Sequence, residues 1–177
     1  MMKNNSSWNF YLDHVHSFAY WEKVFTKQEC EKIIEIANKK GLVRGTTTDK
    51  TDIRLSEVCW LYPDDDLEFV FRKITDVVLN LNNRFFKFDI FGLSEGLQFT
   101  NYKAPSDKYG KHIDRENDFL IRKLSLSIQL TDPNEYEGGE LILYEDEKGT
   151  EMKKEQGTLV LFPSYILHEV KPITKGE

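Results

Sequence analysis

Apolar residues first recur at helical spacing between Lys27 and Lys40, where Ile33, Ile34 and Ala37 make one stripe. Thr26 precedes the run and Glu29 follows three residues on, the pair that closes a capping box. Gly41 is a natural stop, so the spacing predicts a helix over 27–40. A second helix is predicted from about 66 to 84. Asp64, Asp65 and Asp66 suit the positive end of its dipole, and Phe69, Ile74, Val77, Val78 and Leu81 face the core. Between the two helices the polar segment 45–52 reads as a mobile loop, and a strand is predicted near Ile53–Leu61.

After Phe85 the pattern changes to short runs with period-two or continuous apolar character, at 97–102, 123–131, 140–145, 157–162 and 168–173. Pro, Gly, Asp and Asn separate them. The segment 103–111 lacks apolar anchors and reads as a second flexible loop beside a site mouth. Helices first and antiparallel strands later predict an α+β chain, mainly β: a double-sheet jelly roll with both N-terminal helices packed along one sheet. No repeat or low-complexity linker divides residues 1–177, which read as a single domain.

Composition narrows the function. Hydrophobic residues make up 40% and aromatic residues 13%, which predicts a packed core. A formal net charge of -6 argues against a general nucleic-acid binder, since phosphate binding needs a basic face. The N-terminus has no apolar signal region and no run reaches membrane-spanning length, so a cytoplasmic location is expected. Cys30 and Cys59 show no metal or redox spacing and are expected to be buried thiols. Nothing in the sequence fixes an oligomeric state.

The chemistry lies in His112-Ile113-Asp114 and the distant His168. On an extended segment residues i and i+2 point the same way, so His112 and Asp114 can reach one ion together. Two imidazoles and one carboxylate form the facial triad of non-haem Fe(II) oxygenases, with positions left open for a chelating cosubstrate and dioxygen. An HxD with a later His also arises by chance. His14 and His16 form a rival pair without a third ligand, and read as surface or capping residues.

The surroundings of the triad carry a resemblance. Leu97-Gln98-Phe99-Thr100-Asn101-Tyr102 leads to Tyr109-Gly110-Lys111-His112-Ile113-Asp114, and Arg122 opens the strand through Leu130. Tyr136-Glu137-Gly138-Gly139-Glu140-Leu141, Gly157 to Pro163 and His168 to Ile173 follow in order, with Ile53-Arg54-Leu55-Ser56 and Trp60-Leu61 upstream. In this order the motifs resemble the prolyl 4-hydroxylase-like family of Fe(II)- and 2-oxoglutarate-dependent dioxygenases. The resemblance implies a double-stranded β-helix (cupin-like) and Fe(II) on His112, Asp114 and His168. It implies 2-oxoglutarate as cosubstrate, with Tyr102, then Tyr109, Ser125 and Gln129, towards its pocket. Ser125, Ser127 and Gln129 share one strand face, which a solvated face would equally explain. The implied reaction hydroxylates a C–H bond and releases succinate and carbon dioxide, with ascorbate as an auxiliary. The implied partners are dioxygen and a proline-containing peptide or protein, near Arg54, Trp60, Arg115 and Arg122. The same chemistry on a free small molecule, or an inert β-rich binding module, remains open.

Two departures stand out. Tyr102 is one residue further from His112 than the family's usual spacing, with Ala104-Pro105-Ser106 in place of a glycine turn. The family's basic anchor for 2-oxoglutarate would fall at position 178, one past Glu177, so a truncated C-terminal strand is expected. Counting parity from His168 puts Lys175 on the wrong face to replace it.

Overall fold

A computed structural model describes residues 15–45, 54–115 and 121–177. In chain order β1 is Ala19–Trp21, α1 Lys27–Lys40, β2 Val43–Arg44, β3 Arg54–Leu55, β4 Glu57–Leu61 and α2 Glu68–Leu81. A π-helical turn, Asn82–Phe86, extends α2. The β region then runs through β5 Leu97–Asn101, β6 Lys108–His112, β7 Leu124–Ile128, β8 Glu137–Gly138, β9 Leu141–Tyr144 and β10 Thr150–Glu151. It ends with β11 Leu159–Pro163, β12 Leu167–Val170 and β13 Ile173–Lys175.

The first helix has the predicted bounds because its cap is complete: Thr26 Oγ1 accepts from Glu29 N at 3.2 Å and Glu29 Oε2 from Thr26 N at 2.8 Å. The second starts later than predicted, while its π turn carries it past the predicted end. Asp64 Oδ1 accepts from Leu67 N at 2.9 Å, which makes a turn of the acidic run and delays the helix to Glu68. At its other end buried Asn82 accepts from Phe88 N and donates to Phe88 O, so the chain turns away.

Strands pair antiparallel in the orders β1-β11-β7, β10-β9-β12-β6-β3, β2-β4-β5 and β13-β8. The predicted strand at 53–61 is two, β3 and β4, which join different sheets on either side of Ser56. β11 is buried along its whole length and serves two cores. Leu159 and Leu161 pack with Ile33, Ala37, Val70, Ile74 and Leu81 of the helices, which lie along this sheet as predicted. Val160 and Phe162 point the other way, to Leu141 and Leu143 of the facing sheet. Two antiparallel layers closing on that second core, with helices on the outer face of one, make a distorted double-stranded β-helix. Gly157 admits the close approach that starts β11: its φ is +80°, and a Cβ there would lie 2.0 Å from Phe25 O.

Two expectations are corrected. Residues 103–111 are not one loop, because 108–112 form β6, flanked by β12 and β3 in the interior of its sheet. The run 168–173 is not one strand: β12 pairs with β9 and β6, the chain breaks at Lys171-Pro172, and β13 pairs with β8 in another sheet. Parity counted from His168 therefore stops at the break. Lys175 Nζ meets Glu137 Oε1 at 3.0 Å on the surface. Of the predicted loop at 45–52, only Gly45 lies among the described residues; it is buried, and its N–H donates to Ser56 O at 2.8 Å. No helix among the described residues is long and apolar enough to cross a membrane.

These two interaction types differ in scale. Thr26→Ala should cost about 1 kcal/mol, the usual worth of an N-cap. Leu161→Ala, in the sheet–helix core, should cost about 2–5 kcal/mol. Chemical denaturation of both variants measures the difference, and equal losses would contradict it.

Candidate metal centre

β6 and β12 lie side by side with His112 directly opposite His168. Their rings meet with centroids 4.1 Å apart. Asp114, two residues past His112 and just beyond the strand end, returns to the same spot because its N–H donates to Ser164 O at 3.1 Å. One ligand atom from each of His112, Asp114 and His168 lies within 4.8 Å of the others. Asp114 Oδ1 is 3.5 Å from His112 Nε2 and 3.7 Å from His168 Nε2.

The protonation states suit a cation. His112 Nδ1 is 2.8 Å from Gly110 O and His168 Nδ1 is 2.9 Å from Ile166 O. A carbonyl only accepts, so each Nδ1 carries a proton, and it is Nε2 of each ring that faces the centre, the atom whose lone pair a metal would take. Burial pushes the His168 pKa down, against the pull of Asp114, and so favours the neutral ligand form. Burial would raise Asp114, but His112, His168 and Arg122 outweigh it and hold the carboxyl well below the usual range. The Ser125 hydroxyl contributes in the same direction, though it makes no hydrogen bond of ordinary geometry. Two imidazoles that turn Nε2 inward and one ionised carboxylate fit a divalent ion of the Fe(II) type.

The walls are built from both sheets. Phe162 meets the His168 ring edge-on at 4.9 Å. Tyr109 stacks on His112 at 3.5 Å, and the Arg54 guanidinium lies over the Tyr109 ring at 4.8 Å. Arg54 Nε donates to Ser56 Oγ at 2.9 Å and Nη2 to Gln98 and Thr100, which ties β3 to β5. Trp60, across from Gln98, is exposed on the same wall. Burial raises the Tyr102 phenol, countered by Arg54, while Tyr109, Asp107 and Asp114 add to the rise. Ser125 is buried on the inner face of β7, opposite Phe162. Gln129 shares its parity but lies four residues on, bonded through its backbone to Gly157 and Thr158, roughly 13 Å along the strand.

Among the described residues His112, Asp114 and His168 converge, Tyr109 stacks on His112 and Ser125 faces inward from β7, while Gln129 lies apart, further along that strand's face. His16 stands apart against Phe85, and His14 lies outside the described residues. Cys30 and Cys59 are buried free thiols, as expected, and burial pushes Cys30 up to about 11. Arg122 is engaged by Asp114 and Glu95. Ser164 and Glu95 escaped sequence reading, since neither stands at a recognisable spacing from the triad.

Residues 97–177 match the model of the 2OG-Fe(II) oxygenase superfamily, a span that begins at β5 and includes the whole triad. A PKHD-type hydroxylase of Aliarcobacter butzleri is 32% identical over 163 residues, covering 87% of this chain and 71% of that protein. A PKHD-type hydroxylase of Prochlorococcus marinus is 44% identical over 86 residues, 46% of this chain and 37% of its relative. The viral collagen prolyl hydroxylase of Paramecium bursaria Chlorella virus-1, solved with 2OG, superposes with a TM-score of 0.71 at 22% identity, covering 91% of each chain. The Trichoplax adhaerens prolyl hydroxylase bound to a hypoxia inducible factor peptide gives 0.73 at 19% identity, over 90% of this chain and 79% of that one.

The orphaned hydroxyl of Ser125 yields a prediction of opposite signs. Ser125→Ala should hold or raise stability by about 1 kcal/mol, because it removes a buried hydroxyl without a proper partner. The same change should weaken 2-oxoglutarate binding. Thermal melts with and without 2-oxoglutarate measure both, and unchanged affinity would remove Ser125 from the pocket.

Proposed function

The chain belongs to the 2OG-Fe(II) oxygenase superfamily, among its PKHD-type, prolyl hydroxylase-like members, and from that premise we propose that it hydroxylates a prolyl residue in a peptide or protein. The coarser activity follows from the family: it is a hydroxylase that uses Fe(II), 2-oxoglutarate and dioxygen. The bound ion and cosubstrate supply the oxidising chemistry, converting 2-oxoglutarate to succinate and carbon dioxide while one oxygen atom enters a C–H bond.

The observation that carries the assignment is the convergence of His112, Asp114 and His168, one ligand atom from each within 4.8 Å of the others. In this reading these three side chains hold the ion through Nε2, Oδ1 and Nε2. Tyr102, Tyr109 and Ser125 bound the cosubstrate pocket, with Gln129 further along the same strand face, and the half-buried Tyr102, its phenol protonated at neutral pH, is a hydrogen-bond donor to a carboxylate. Arg54 and Trp60 form the wall nearest the substrate, where an exposed indole and a guanidinium suit an extended peptide. The peptide-bound Trichoplax neighbour and the viral collagen hydroxylase support a prolyl substrate through their fold. Ascorbate is assigned the part of a reductant that keeps the ion ferrous. A reducing, cytoplasmic setting suits both that ion and two free thiols.

Succinate should form from 2-oxoglutarate only with Fe(II), and Asp114→Ala should abolish it while the chain still folds. Mass spectrometry of proline-containing peptides should then show the gain of one oxygen atom on proline. Succinate formation without any peptide gain, but with hydroxylation of a free metabolite, would replace the prolyl reading with a small-molecule one. No iron-dependent succinate would overturn the site assignment itself.

A further inference from the structure

We propose that Arg122, braced by Glu95 and Ser164, is a positioning residue that fixes the Asp114 carboxylate with a single oxygen turned to the metal; this rests on Asp114 being a ligand. The two carboxylate oxygens have separate partners. Oδ1 faces both histidine Nε2 atoms, while Oδ2 lies 3.3 Å from Arg122 Nη2. An untethered carboxylate can rotate or grip a cation with both oxygens. With Oδ2 tied to a guanidinium, one oxygen remains for the ion, and a coordination position stays open for cosubstrate or dioxygen.

Arg122 is itself held from two sides. Its Nη1 donates to Glu95 Oε1 at 2.7 Å. Its backbone carbonyl accepts from Ser164 Oγ at 2.6 Å, and Ser164 is fully buried. The carbonyl of Ser164 in turn accepts from Asp114 N at 3.1 Å and Arg115 N at 3.0 Å, and its N–H donates to Lys123 O at 3.0 Å. The bonds close a ring: Asp114 backbone to Ser164, Ser164 to Arg122 backbone, Arg122 side chain to Asp114 side chain. Both terminal nitrogens of Arg122 meet carboxylates of this chain, so its charge is engaged internally rather than offered to a substrate. Partners behind a ligand typically contribute 10–100-fold to metal affinity, about the loss expected here.

The test is titration of Mn(II), followed by its electron paramagnetic resonance signal, into the full chain and its Asp114→Ala, Arg122→Met, Arg122→Lys and Glu95→Gln variants. Visible spectra of the Co(II) forms are recorded beside it. Arg122→Met should weaken Mn(II) binding about 10–100-fold and shift the Co(II) bands as the carboxylate turns. Arg122→Lys should recover part of the affinity, Glu95→Gln should lose less than Arg122→Met, and the Met/Gln double variant should be no worse than Arg122→Met alone. Unchanged affinity and Co(II) bands in Arg122→Met would overturn the proposal, whether melting falls (a structural role) or KM for substrate rises (a groove role). Should Arg122→Met not fold, the Lys and Gln variants decide by the same two readouts. Equal Mn(II) binding by wild type and Asp114→Ala would instead refute Asp114 as a ligand, a separate result that removes the ground of this inference.

Discussion

The antiparallel register that sets His168 directly opposite His112 is the constraint on which the rest of the site depends. Opposed residues in such a pair have Cβ atoms about 4.5–5.5 Å apart, close enough for both imidazoles to reach one ion. A slip of one residue would turn either side chain to the other face and leave no triad. Each histidine is oriented by the same local device, an Nδ1 proton given to the carbonyl two residues earlier, Gly110 within β6 and Ile166 in the turn before β12. Strand pairing and tautomer are thus set by neighbouring backbone, and the rings need no remote support to face each other.

That register is held by the cores on either side. β11 supplies Leu159 and Leu161 to the helices and Val160 and Phe162 to the space between the sheets. Phe162 carries the packing forward onto the His168 ring. β9 flanks β12 on its other edge, with Leu143 fully buried beside His168. The distal histidine is therefore fixed by apolar contact as well as by pairing, and moving it means disturbing the interior.

Much of this was legible in the sequence, because some signals are local. The capping box gave the start of α1, and an HxD spacing with a late His gave the triad. What escaped was set by contacts between distant segments. β6 reads as loop because its residues, Lys108 to His112, are chosen for the site and the sheet surface rather than for a core. Lys171-Pro172 moves the chain from one sheet to another, which no count of parity can register. Arg122 carries no mark of its bond to Asp114, since Glu95 and Ser164 come from segments far apart in the chain.

The three side chains of the triad are consequently braced in unlike ways. His168 is 6% exposed and backed by the inter-sheet core. The His112 side chain is 14% exposed and backed by Tyr109, which lies in turn beneath Arg54 of β3. The Asp114 side chain is 21% exposed and backed by Arg122, which reaches Glu95 just before β5. Arg54 and Glu95 belong to the two strand approaches that also carry Trp60 and Gln98, which lie opposite each other on β4 and β5. Two of the triad side chains are thus supported from β3 and the approach to β5, and one from the core between the sheets. A displacement of either approach would be felt first at His112 or Asp114, while His168 keeps its place in the interior.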